Sequence, residues 1–196
     1  HPSTLDYQAP VSDQVGNLLK ALSAFSSHQI VFTAPGVEQG SETVLKAIQQ
    51  YVAEHANATF VDHFGSRTYL AVIPRATVVV GNPSSGLVEA SSLGVPAINI
   101  GQRQKNRLAA DSVQHVSYSD IEIRTALERA LTADYPHHAR TVLNPYDPYR
   151  DSKNSLRIVN ALEHALTDLP REKLRVKKFD TRVAPEQWNY LLKERS

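Results

Sequence analysis

"GNPSSGLVEASSLGVPAINIG", residues 81–101, decides how the rest of the chain is read. An apolar run, ATVVV at 76–80, leads into it, and a second, AINI at 97–100, closes it. Between them Leu87, Val88, Ala90, Ser91 and Leu93 recur at helical spacing, ended by Gly94 and Pro96. The stretch predicts a strand over 76–81, a small-residue turn, a helix through Leu93 and a strand over 97–100. Strands joined through a helix in this way pair in parallel.

The alternation continues on both sides. Val15, Leu18, Leu19, Leu22 and Phe25 mark a first helix, followed by a strand over 29–33 and a turn, APGVEQGS, at 34–41. A helix over 41–54 shows Val44, Leu45, Ile48 and Val52 on one face. Residues 59–61 read as a short strand and 69–73 as a short helix. SDIE at 119–122 is a capping box opening a helix to Leu131. A turn-rich break, LNPYDPYRDS at 143–152, precedes a last helix over 154–166. The pattern predicts an α/β chain with a doubly wound, Rossmann-like parallel sheet. One domain is expected over 1–168, with a charged tail, 169–196, that packs back or stays partly flexible. Trp188 and Tyr190 are its natural anchors.

Composition narrows the partners. A net charge of +1 gives no reason to expect nucleic acid or an anionic membrane surface. No apolar stretch approaches the roughly 20 residues that span a bilayer. The absence of cysteine excludes disulfides and thiolate metal sites from this chain, and fits a reducing cytoplasm. Eight histidines are present, but His137 and His138 are adjacent and lack companions at ligand spacing, so no metal and no cofactor are expected. The chain starts at His1 and contains no methionine, which points to a piece of a longer protein.

The turn at 83–86 lies where a parallel sheet places its ligands, at the carboxyl ends of the strands. A helix N-terminus there offers backbone N–H groups and a positive dipole end to a phosphate. Ser84 and Ser85 add hydroxyl donors, Gly86 permits close backbone approach, and Pro83 suits the first helical turn. Glu89, one turn on and on the face of Ser85, could accept from a ribose diol. Equally, the serines could cap the helix and Glu89 could complement its dipole. The next loop weighs toward the ligand: GQRQKNRLAADSV, residues 101–113, brings Arg103, Lys105 and Arg107 to the same sheet edge, where guanidinium forks suit a diphosphate. His63 reads as a packing or exposed histidine rather than part of a base pocket, and Tyr69 as core.

These residues resemble the nucleotide-binding half of the UDP-N-acetylglucosamine 2-epimerases. The likeness runs through residues 81–113, HPST at the start, NPYDPYRDSKNSLRIV before the last helix and KKFD at 177–180, covering the chain to about Asp180. It leans to the hydrolysing branch, which serves sialic-acid-like sugar synthesis. The resemblance implies the C-terminal half of a GT-B enzyme, in which two Rossmann-like domains face each other across a cleft. It implies elimination of UDP from the sugar to a glycal, then water addition with inversion at carbon 2. By position, Ser84, Ser85 and Gly86 would hold the diphosphate, Glu89 the ribose, and Arg103 and Arg107 the phosphates. His1 would be an acid–base or phosphate-contacting group. UDP or UDP-N-acetylglucosamine is the implied ligand, with the N-terminal domain of the same protein and, at full length, a homo-oligomer as partners. The half alone is expected to be inactive.

Three departures stand out. Pro83 stands where the family often has serine, a polar residue frequent near Gly36, commonly asparagine, is absent, and Arg150-Asp151-Ser152 replaces a glycine-aspartate-glycine turn. Two other functions fit the same architecture: the donor-binding half of a GT-B UDP-sugar glycosyltransferase, and a noncatalytic UDP-binding module. The HP start and the RQxxR loop favour the epimerase.

Overall fold

Strands and helices alternate as the apolar spacing requires. A computed structural model of the chain describes residues 1–3, 9–151 and 153–167. The tail over 169–196, with KKFD, Trp188 and Tyr190, lies outside the described residues. In chain order come α1 (Val11–Leu22), β1 (Ile30–Thr33), α2 (Ser41–Glu54), β2 (Ala58–Val61), α3 (Gly65–Val72), β3 (Val79–Gly81), α4 (Glu89–Ser92), β4 (Ala97–Ile100), β5 (Val113–Val116), α5 (Asp120–Ala130), α6 (Asp134–Thr141) and α7 (Asn154–Thr167). Among the described residues, no helix is long and apolar enough to cross a membrane.

All strand pairs among the described residues are parallel. β1 pairs with β2, and β4 lies between β3 and β5. The central strand β4 is buried along its whole length, as a strand covered on both faces must be. Its side chains alternate between two cores. Ile98 and Ile100 join Val15, Leu22, Ile48, Ile123 and Leu127 from α1, α2 and α5. Ala97 points the other way, to Leu87, Ala90 and Ile73. Helices on both faces of parallel strands make the α/β architecture doubly wound. No ladder joins β1 to β3. A cavity of about 180 Å³ opens there, lined by Val31, Phe32, Val80, Ile100 and Tyr118.

The helix expected to run through Leu93 is broken. Residues Ser84–Gly86 form a 3₁₀ turn and only Glu89–Ser92 is α-helical. At α4 the buried Asn144 donates to the Val88 carbonyl at 2.8 Å and to Ser92 Oγ at 2.7 Å. That carbonyl also accepts from Ser92 N–H, at a long 3.4 Å. Gly94, at φ 69°, ends the turn in a Schellman motif: Val95 N–H reaches Ala90 O at 2.9 Å and Gly94 N–H reaches Ser91 O at 3.3 Å. The capping box also forms in altered shape. Ser119 Oγ accepts from Glu122 N–H, but the Glu122 carboxylate turns to Ser117 N–H.

The chain divides into two compact units, His1–Pro148 and Tyr149–Ser196. In the second, Arg157 is stapled to Asp151 by two hydrogen bonds, 2.8 and 2.6 Å, and its guanidinium lies 3.8 Å above the Tyr149 ring. Arg150 holds a left-handed φ of 50° where the family resemblance expects glycine. Any side chain there carries a strain of roughly 1–2 kcal/mol. The Arg157 guanidinium pulls the Asp151 carboxyl from 3.8 down to about 2. Because the folded value lies below the unfolded one, the contribution of this pair is whole above about pH 3.8 and is lost as pH falls through about 2. An NMR titration of the Asp151 carboxyl carbon should find its midpoint near 2, and Arg157→Ala should return it to the ordinary carboxylate range.

Candidate functional site

The carboxyl ends of β1, β3 and β4 give way to three loops that surround one open cleft of about 440 Å³. His1, Ser84, Ser85, Arg103 and Arg107 all line it, together with Glu38, Pro83 and Gln104. Five of the seven residues singled out in the sequence are thus brought together. Gly86 and Glu89 do not line the cleft. Gly86 is buried behind its wall, where an added Cβ would sit 3.6 Å from that of Ala97. Glu89 is half-buried, and its Oε2 is shielded from solvent without a hydrogen-bond partner.

One side chain that the sequence reading passed over organises the cleft. Asn82 directly follows β3, is 5% exposed, and bonds both ways with the backbone of His1: its Oδ1 accepts from the His1 nitrogen and its Nδ2 donates to the His1 carbonyl, each at 2.9 Å. The Asn82 carbonyl accepts from Gln104 Nε2 at 2.8 Å. Segments 1–3, 82 and 104 are thereby tied together, and Arg103 is delivered to the cleft beside His1. A second tie holds the leading segment on α1, where Gln14 Oε1 accepts from Ser3 N–H at 3.1 Å.

His1 Nδ1 accepts from Gly36 N–H at 2.7 Å. An accepting Nδ1 leaves the proton of the neutral ring on Nε2, so that nitrogen is the ring's donor. The glycine at position 36 has a steric reason. A Cβ there would lie 3.1 Å from His1 Nδ1 and 3.3 Å from Cε1, so the ring would have to give by a few tenths of an ångström.

Arg103 forks onto Glu38, Nη1 to Oε2 and Nη2 to Oε1, both at 2.6 Å. Its hydrogen bonds hold the Glu38 carboxyl below the usual range, and the same bonds raise the guanidinium. Arg107 stands exposed on the same wall. Tyr69, read as core, is half-buried and places its hydroxyl 2.5 Å from Ser85 Oγ. His63 is exposed, as the sequence suggested. Glu38 sits in the 34–41 turn, where its charge alone carried no signal of a partner 65 residues away.

Two guanidinium groups, serine hydroxyls and a histidine N–H thus converge at the strand ends, a donor set that suits a polyanion. The sequence model of the family described as UDP-N-acetylglucosamine 2-epimerase matches residues 1–163. The chain belongs to this family. Among its relatives, the polysialic acid biosynthesis protein P7 of Escherichia coli is 32% identical over 160 residues, covering 81% of this chain and 40% of that protein. The GDP/UDP-N,N'-diacetylbacillosamine 2-epimerase (hydrolyzing) of Campylobacter jejuni is 29% identical over 62% of the chain and 32% of its own length. A UDP-N-acetylglucosamine 2-epimerase of Neisseria meningitidis is 30% identical over 67% of the chain and 34% of its own. The chain therefore spans less than half the length of these relatives. A crystal structure from Listeria monocytogenes, named for the same activity, superposes with a TM-score of 0.64 at 11% identity over 87% of this chain and 45% of that one. That match shows the fold alone, an α/β fold shared with a little under half of that chain.

Proposed function

We propose that this chain is the UDP-binding half of a hydrolysing UDP-sugar 2-epimerase, acting on UDP-N-acetylglucosamine or a close N-acetylated analogue. The observation that carries the reading is the convergence of His1, Ser84, Ser85, Arg103 and Arg107 on one cleft at the strand ends. Arg103 and Arg107 take the diphosphate with the two serines, and Tyr69 orients the Ser85 hydroxyl. As the bond from carbon 1 of the sugar to the phosphate oxygen breaks, UDP departs with the electron pair, and the guanidinium groups stabilise the charge it gains. The proton on carbon 2 leaves to a base outside this chain. Addition of water to the glycal puts hydroxide on carbon 1 and a proton on the opposite face of carbon 2. His1 Nε2–H faces the leaving phosphate as a donor. The N-terminal half supplies the other wall, and the complete enzyme works as a homo-oligomer.

Glu89 is assigned to the ribose on the family resemblance; it stands outside the lining of the empty cleft, so this role requires its carboxylate to turn toward the ligand on binding. A buried carboxylate oxygen without a partner costs about 1–3 kcal/mol, which a ribose diol would recover on binding. Glu89→Gln should therefore leave the melting temperature unchanged or higher. It should weaken UDP and UMP alike, by about one to two powers of ten, since the ribose is common to both. Calorimetric titration of the 196-residue chain with UDP tests the whole reading: weak binding without epimerase turnover is expected. Absence of UDP binding, or robust turnover by this chain alone, would refute it.

A further inference from the structure

We infer that Glu38 is a built-in competitor for the anion, and that ligand binding exchanges the Arg103–Glu38 pair for an Arg103–phosphate pair. The inference rests on the diphosphate reading of the cleft. Glu38 is the single carboxylate among the described residues that line it. It does not sit at the rim as a stray charge, because it engages both terminal nitrogens of Arg103 end-on at 2.6 Å. That is the geometry with which a guanidinium fork grips a phosphate. A phosphate that bonded the remaining Nε edge of Arg103 would stand beside the carboxylate, like charge against like charge. Full engagement of the fork requires Glu38 to leave.

The loop is built so that leaving is a side-chain movement only. Glu38 N–H is held by Ser41 Oγ at 3.1 Å, and the Ser41 hydroxyl in turn donates to the Gly36 carbonyl. Gly36 N–H stays on His1. The backbone at 36–41 is therefore anchored independently of the carboxylate. Glu38 is also one-third exposed, so rotation about its own torsions takes it into water. In the empty cleft the carboxylate keeps the Arg103 fork neutralised and aligned. In the occupied one its waiting charge favours release. Glu38 thus sets the affinity threshold: a ligand that cannot outbid a bidentate carboxylate, such as a lone monoanion, is rejected.

The test titrates UDP and inorganic pyrophosphate into the 196-residue chain and its Glu38→Gln and Arg103→Ala variants. Glu38→Gln should bind both ligands roughly two- to five-fold tighter, the value of a partly exposed ion pair. Unchanged or weaker binding by Glu38→Gln, with the wild type binding normally, overturns the inference and makes Glu38 an orienting partner of Arg103. A wild-type chain that binds neither ligand overturns the nucleotide reading and this inference with it. NMR of the wild type guards against a variant that fails to fold. On saturation with UDP the Glu38 carboxyl should titrate higher than in the free chain. A titration that saturation does not move shows the pair intact and sinks the exchange.

Discussion

Arg103→Ala is expected to weaken UDP binding by about ten- to a hundred-fold, the worth of one charge-assisted bidentate contact of roughly 1.5–3 kcal/mol. Two effects add in the same direction. The fork itself is lost, and Glu38, whose partner it was, is left as an uncompensated negative charge on the wall that receives the phosphates. UMP, with one phosphate fewer, should lose less than UDP. The double variant Arg103→Ala/Glu38→Gln should recover part of the deficit, because it removes the repulsion without restoring the fork. Equal losses for UMP and UDP would move Arg103 out of the diphosphate site.

Gly101→Ala is expected to be the most damaging single substitution for the fold. Gly101 follows β4 at φ 74°, a conformation costing an L-residue roughly 1–2 kcal/mol. An added Cβ would lie 2.2 Å from the Tyr118 ring, well inside van der Waals contact, and relieving such overpacking costs about 1–3 kcal/mol more. Together these lower the melting temperature by roughly 5–20 °C in a chain of this size. Adding Tyr118→Ala would relieve the clash and leave the torsional strain, yet open a cavity beside Ile100. The double variant should therefore not regain wild-type stability. A thermal melt of Gly101→Ala within 2 °C of the wild type, a shift worth only about 1 kcal/mol, would show that Tyr118 swings away freely.

Much of the architecture was legible because its signals were local and periodic. The α2 helix begins and ends where its apolar face and flanking turn place it, and β1, β2 and β4 fall within a residue of their apolar runs. Strand β3 was over-read: residues 76–78 continue the apolar run, but the ladder to β4 begins at Val79. The helix after Ser85 was over-read for a different reason. The Asn144 side chain that bonds its Val88 carbonyl and Ser92 hydroxyl is 52 residues beyond Ser92, and no window along the sequence contains both. The candidate site divides in the same way. Serines and arginines near strand ends advertise their chemistry, so His1, Ser84, Ser85, Arg103 and Arg107 could be named from residue type and place. Glu38, Asn82 and Tyr69 matter through whom they touch, and each partner is far away along the chain.

The amide of Asn82 gives the cleft a particular folding character. It serves the leading segment through its side chain and the 101–107 loop through its carbonyl, at sequence separations of 81 and 22 residues. No local fragment can assemble that junction, and its three strands of chain gain little until all are present. The cleft is therefore acquired late and surrendered as one body. Under native-state hydrogen exchange, the amides of Ser3 and Gly36 should open together, as a single cooperative patch less protected than β4 beneath it.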